Sequence, residues 1–121
     1  MSDTYDIRAQ QNADLLVQFQ SLDQAGDPLI NLTGYEIKAE VRQNYGDVNP
    51  VFVLTAGITD AVNCKYFVSA LADALWVLPS ALTGHYDILA IQTGSSPSPP
   101  STILLIRGRF ILIGAATEPV P

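Results

Sequence analysis

Charge is what this sequence has least of. Only 15% of its 121 residues are ionised at neutral pH, against about a quarter in an ordinary globular chain. Hydrophobic residues make up 48%. A domain of this length has a large surface to cover, so some apolar surface is expected to stay exposed in the monomer, and exposed apolar patches mark contact sites. Basic residues are scarcer still, six against twelve acidic ones for a net charge of -6. An acidic chain repels phosphate backbones, which argues against nucleic acid as a partner. There is a single cysteine, Cys64, so no internal disulfide framework exists. Lys65 beside it would favour a thiolate, but a small half-buried packing residue is the simpler expectation.

Long apolar runs are missing as well. The longest, Ile103–Ile106 and Phe110–Ile113, are separated by Arg107 and Arg109 and fall short of the roughly 18 residues of a membrane helix. The opening residues Met1-Ser2-Asp3-Thr4-Tyr5-Asp6 lack the positive and apolar regions of a signal peptide. The expectation is a soluble chain made in the cytoplasm, with no membrane partner.

What is present is a succession of short strands separated by turn signals. Tyr5–Gln10 reads as a short strand or an extended arm. In Asp14–Gln20, Leu15, Val17 and Phe19 share one face. Tyr35, Ile37, Ala39 and Val41 alternate strictly with Glu36, Lys38, Glu40 and Arg42, the pattern of a strand with one face on a core and one in water. Val51–Thr55, Cys64–Ala70, His85–Thr93 and Ile103–Ile113 complete the set, and Ala56–Asn63 reads as a turn. Leu71–Leu78 suits a short helix or an irregular link, stopped by Pro79. His85–Thr93 and Ile103–Ile113 should form an antiparallel hairpin, with the Pro97, Pro99 and Pro100 loop extended at its tip. Gly108 marks a bulge or a close backbone approach. This spacing predicts an all-β domain, a sandwich or barrel, over residues 14–114, with an N-terminal arm at 1–13 and a tail at 115–121. The two arms are expected to be ordered by neighbours.

Residues that could carry chemistry are sparse. The lone histidine, His85, has no G-x-S-x-G serine to serve. The carboxylates Asp14, Asp23, Asp27, Glu36, Glu40, Asp60, Asp73 and Asp87 are spread singly. Asp23, Asp27 and Asn31 flank a turn without the order of a calcium loop. Asn31-Leu32-Thr33 matches a glycosylation sequon but follows no secretory signal. No catalytic residue, metal site or cofactor is expected. The aromatic residues favour core positions, and Trp76 reads as a core plug or a contact anchor. Arg107 and Arg109 share one strand face. The expected protein-interface residues are Trp76, Arg107, Arg109, Phe110 and Leu112 with Pro97, Pro99 and Pro100, because the last strand is apolar on both faces near its end and would need cover.

The segment Gly26-Asp27-Pro28-Leu29-Ile30-Asn31-Leu32-Thr33-Gly34-Tyr35, followed by Ala39-Glu40-Val41-Arg42, resembles a stretch of the small β-sandwich domains in tailed-bacteriophage virion proteins, of the baseplate, tail-fibre-attachment or capsid decoration kind. Asp14–Asp23, Leu82-Thr83-Gly84-His85-Tyr86-Asp87-Ile88 and the Gly108 strand ending near Thr117 are similar to further motifs of that family, in the same order. The resemblance implies an antiparallel immunoglobulin-like β-sandwich of about seven strands with extended termini, no enzyme activity, and a place in the virion, assembled in the host cytoplasm among other virion proteins and copies of itself. A tail, baseplate or fibre-junction adaptor is the leading expectation and a capsid decoration (cement) protein its alternative. A carbohydrate-binding module, with exposed coplanar aromatics touching glycan, is the alternative from another class.

Overall fold

In a computed structural model, residues 4–44, 46–78, 82–93 and 102–114 are described. They form β1 (Ile7–Gln10), β2 (Leu15–Gln20), β3 (Tyr35–Arg42), β4 (Phe52–Asp60), β5 (Lys65–Ala70), α1 (Ala72–Trp76), β6 (Thr83–Gln92) and β7 (Thr102–Ile113). The Ser/Pro loop and the C-terminal tail, including Pro97, Pro99 and Pro100, lie outside the described residues, as do Met1–Asp3 and Pro79.

The strictly alternating segment is the centre of the architecture. β3 pairs along its whole length with β6, from Tyr35 opposite Gln92 to Arg42 opposite His85. Its other edge pairs with the start of β4, Ala39 opposite Leu54 and Val41 opposite Phe52. Ala39 and Val41 are buried while Glu36 and Lys38 face water, so the period of two in the sequence becomes the two faces of the sheet. The expected hairpin is present: β6 and β7 run antiparallel, with one extra residue accommodated where the register shifts between the Ile88 and Leu89 pairs.

The seven strands lie in the single order β1-β7-β6-β3-β4-β5-β2, a mixed sheet curled almost into a barrel. The all-β expectation holds, and two details differ from the antiparallel sandwich. β1 pairs parallel to β7, Ile7 opposite Phe110 and Gln10 opposite Ile113. And β4 is longer than its first five residues suggest. Phe52–Leu54 pair with β3, whereas Thr55–Asp60 pair with β5, so one strand joins what would otherwise be two sheets. The segment read as a turn from Ala56 onward is strand as far as Asp60. Gly57 made it look like a break, but the Phe67 ring from β5 lies over it, and a Cβ there would sit 2.7 Å from that ring. An aromatic side chain packed across a strand glycine restores the contact the glycine lacks.

Of the two readings of Tyr5–Gln10, a short strand or an extended arm, β1 is the strand. Ile7 and Ala9 are buried in the core, and only Met1–Asp3 are outside the described chain. Ahead of β1, the Tyr5 amide donates to the Arg107 carbonyl at 3.2 Å, and the Tyr86 hydroxyl donates to the Tyr5 carbonyl. This brings the Tyr5 backbone against Gly108, where a Cβ would overlap its carbonyl group. Gly108 is therefore a close-approach glycine, and the bulge lies farther back along β7.

The core gathers Tyr66, Tyr86, Phe110, Ile7, Leu32, Leu75, Ile88 and Leu112, all under 2% exposed. Phe19 stacks on Tyr66 with ring centroids 5.5 Å apart. Helix α1 closes one end of the barrel by burying Leu75. Five residues are too few to be helical unaided, and two long-range contacts hold them. Asp14 accepts the Ala72 amide at 2.7 Å, and the Gln11 side-chain amide donates to the carbonyls of Trp76 and Leu78 at 3.0 and 2.9 Å. Helix ends leave such carbonyls unpaired, and Gln11, itself only 5% exposed, satisfies two of them.

Replacing Gly108 by Ala is expected to destabilise the fold by about 2 kcal/mol or more, because the obstacle is backbone. Gly57→Ala should cost less, since it meets a ring tip that rotates. Urea denaturation of the two variants side by side checks the order. Gln11→Ala should cost about 1–3 kcal/mol through the orphaned carbonyls and raise hydrogen exchange in α1 before the rest of the fold.

Candidate interaction surface

The outward-facing side chains divide the barrel into two unlike halves. β3, β6 and β7 carry Glu36, Lys38, Glu40, Arg42, Asp87, Arg107 and Arg109. β2, β4 and β5 carry only Asp60 and Lys65, which face each other at one end of the β4–β5 pair.

In the charged half, register rather than sequence proximity brings the groups together. Glu40 stands opposite Asp87, and Asp87 opposite Arg107. In the next row Arg42 stands opposite His85 and His85 opposite Arg109. Two carboxylates side by side repel, and the cations around them offset this. Glu40 accepts from Arg42 at 3.0 Å and lies 3.7 Å from the Lys38 ammonium, while the Arg42 Nε also donates to the Asp47 carbonyl at 2.9 Å. The Glu40–Asp87 neighbourhood is an outer sheet face. Arg109 pairs with Asp6 at 2.7 Å, tying the segment before β1 to β7. That hydrogen bond is the main reason the Asp6 carboxyl lies below its ordinary value of 3.8.

In the other half, apolar side chains point outward. Leu16 on β2 is 62% exposed, and Val53 on β4, at the boundary where it stands opposite Glu40 of β3, is 55% exposed. Leu71, just past β5, is 66% exposed. Leu16 pairs with Ser69 and Ser69 with Thr55, so Leu71 and Val53 fall one row farther toward α1 on the same face. Val77, after the helix, is 79% exposed. Toward the opposite end, Gln18, Phe19, Gln20, Thr59 and Lys65 line a shallow depression of about 240 Å³, smaller than the usual small-molecule site.

The expected interface residues are scattered by the fold. Arg107 and Arg109 are exposed on one face of β7, as their spacing predicts. Phe110 and Leu112 point the other way and are core residues, 0% and 1% exposed, covered by β1 of the same chain. They are not available to a partner; the apolar last strand receives its cover from Ile7 and Ala9. Trp76 is half-buried at the end of α1. Sequence reasoning did not single out Leu16, Val53, Leu71 and Val77. The signal for Leu16, Val53 and Leu71 was the absence of charge from Leu15 to Leu22, Val48 to Thr59 and Tyr66 to Ala72.

The remaining candidates are occupied by structure. Asp23 accepts the amides of Ala25 and Asp27 at 2.9 and 3.0 Å, and Asn31 accepts that of Thr33 at 2.9 Å, so both shape turns. No group of three metal-ligand side chains occurs among the described residues, and no described helix is long and apolar enough to cross a membrane. Cys64 is fully buried rather than half-buried and takes φ 56° at the end of the β4–β5 turn. Of the aromatics, Phe67 rests on Gly57 and Tyr5, 49% exposed, meets Phe19 edge-on at 5.5 Å; Tyr66, Tyr86 and Phe110 are core.

No family model and no curated protein matches this chain.

The Asp6–Arg109 pair has a pH signature. A carboxyl whose folded value is depressed contributes stability above its unfolded value, and that contribution disappears as pH falls through the folded one. Stability should therefore begin to drop below about pH 4, near the unfolded Asp value. In Asp6→Asn this part of the acid dependence should be missing, which urea midpoints measured from pH 6 to pH 2 would reveal.

Proposed function

We propose that this protein is a non-enzymatic structural subunit of a tailed-bacteriophage particle, an adaptor at the tail, baseplate or fibre junction. The observation that carries the adhesive part of this reading is the nearly uncharged half of the barrel, with Leu16, Val53 and Leu71 exposed on it. Apolar side chains grouped on a small domain are retained where a partner covers them.

The placement in a phage particle is supported by the order of motifs from Asp14 to Thr117. Three features of the first motif have structural reasons here. Gly26 and Gly34 take φ of 86° and 85°, Asn31 shapes the turn ahead of β3, and Leu32 is fully buried. The immunoglobulin-like sandwich belongs to the same proposal: a sheet that bends along β4 differs from a sandwich in how continuously that strand is paired. The partners are other virion proteins and further copies of this chain.

Antibody labelling of purified particles from the source phage tests the reading. Label is expected at the tail or its junction with the fibres. Label over the head shell would convert the adaptor into a capsid decoration protein, and intact particles without the chain would remove the virion reading altogether.

A further inference from the structure

Phe67 stands in the middle of the outer face of β2, β5 and β4, opposite Gln18 on one side and Gly57 on the other. Its ring leans across the glycine, where a Cβ would lie 2.7 and 3.0 Å from Cε1 and Cζ. The side chain is half-buried, so the ring rests on backbone and turns part of its surface to water. Neutral hydrogen-bonding groups surround it. Thr55 and Thr59 flank Gly57 at alternate positions of β4, Ser69 follows Phe67 at the next outward position of β5, and Gln18 and Gln20 face outward from β2. Within the described chain the side chains of Gln18, Thr55, Thr59 and Ser69 make no hydrogen bond. Gln20 uses only its Nε2, which donates to the Asn63 carbonyl at 3.1 Å. One row along from the ring, Gln18, Gln20, Thr59 and Lys65 line the depression of about 240 Å³. The Asp60 carboxylate beside it is turned to Asn63, accepting from the backbone and side-chain amides at 3.3 and 2.8 Å.

We propose that this face is a saccharide-binding site, on which one sugar ring of a neutral glycan stacks against Phe67 and places its hydroxyls among Gln18, Gln20 and Thr59. The chemistry of the surface selects the ligand. A sugar ring has an apolar C–H face, which the electron-rich face of an aromatic ring attracts, and a rim of hydroxyls that both donate and accept. Amides and hydroxyls match that rim in both senses. Lys65 is a lone cation here, too little for a phosphate-bearing ligand. A peptide adding its main chain would seek a strand edge rather than a sheet face. The depression is small for an ordinary ligand pocket and suits a single sugar unit. One ring with a few hydrogen bonds gives weak binding, with a dissociation constant on the order of 1 mM. The site does not depend on the phage reading, since an isolated chain would bind glycan wherever it serves.

Titration of the ¹⁵N-labelled full chain with millimolar maltose, cellobiose, lactose and chitobiose, followed by NMR, tests it. At least one of these sugars is expected to shift the Phe67 amide and the side-chain amides of Gln18 and Gln20, leaving β3, β6 and β7 unmoved. Phe67→Leu keeps apolar cover over Gly57 but removes the aromatic face, and should weaken binding about fivefold or more. Gln18→Ala, at an exposed position that the fold does not use, should weaken it about threefold or more with an unchanged circular dichroism spectrum, and gives the answer if Phe67→Leu fails to fold. No shift with any of the four sugars overturns the proposal. So do shifts centred on another face, or binding that persists undiminished in Gln18→Ala or in a folded Phe67→Leu.

Discussion

The two end strands of the sheet approach one another without hydrogen bonding: β1 is paired to β7 and β2 to β5, and the chain between them, Gln11–Asp14, crosses from one edge to the other. Seven short strands must curl if their inner face is to be buried by their own side chains. Complete pairing would have made a closed barrel without edges. Here closure is made by side chains instead, with Tyr5 meeting Phe19 and α1 roofing one end through Leu75. The half-buried state of Leu15, Val17 and Phe19 follows from that incomplete closure.

The N-terminal segment carries more of the fold than its length suggests. β1 supplies Ile7 and Ala9 to the core, and Tyr5 is held by Arg107 and Tyr86 from two other strands. Immediately after it, Gln11 and Asp14 secure the two ends of α1. Ten residues at the start of the chain therefore cover the last strand and anchor the roof. Contacts of such long sequence separation form late and slowly, so these elements are the natural candidates for the last step of folding.

Polar side chains in this protein mostly shape backbone. Asp23, Asn31 and Gln11 accept or donate to main-chain groups, and the charged face of β3, β6 and β7 neutralises itself through short pairs such as Glu40 with Arg42. Exposed pairs of this kind add little stability; their effect is to keep that half of the surface hydrated. Two halves so different in hydration give the molecule a direction, with water on one side and an apolar face and unpaired edge on the other. That asymmetry is the physical content of the adhesive reading.

By itself the sequence determined the strand content, because a period of two in β3 and β2 and the turn chemistry at Gly26 and Gly34 are local properties. It also determined the β6–β7 hairpin, whose strands follow one another directly, and left the segment after β5 open between a short helix and an irregular link. Gly108 was legible as an anomaly, though not which backbone approaches it. Only the tertiary structure decided that β1 runs parallel beside β7, which turned Phe110 and Leu112 from expected contact residues into core. It likewise decided that β4 continues through Gly57, since the ring that covers this glycine comes from another strand. The uncharged half was visible only as separate charge-free runs, Leu15–Leu22, Val48–Thr59 and Tyr66–Ala72. Their gathering depends on registers between strands distant in sequence, and a one-dimensional pattern reports periodicity along a strand but not the neighbour across it.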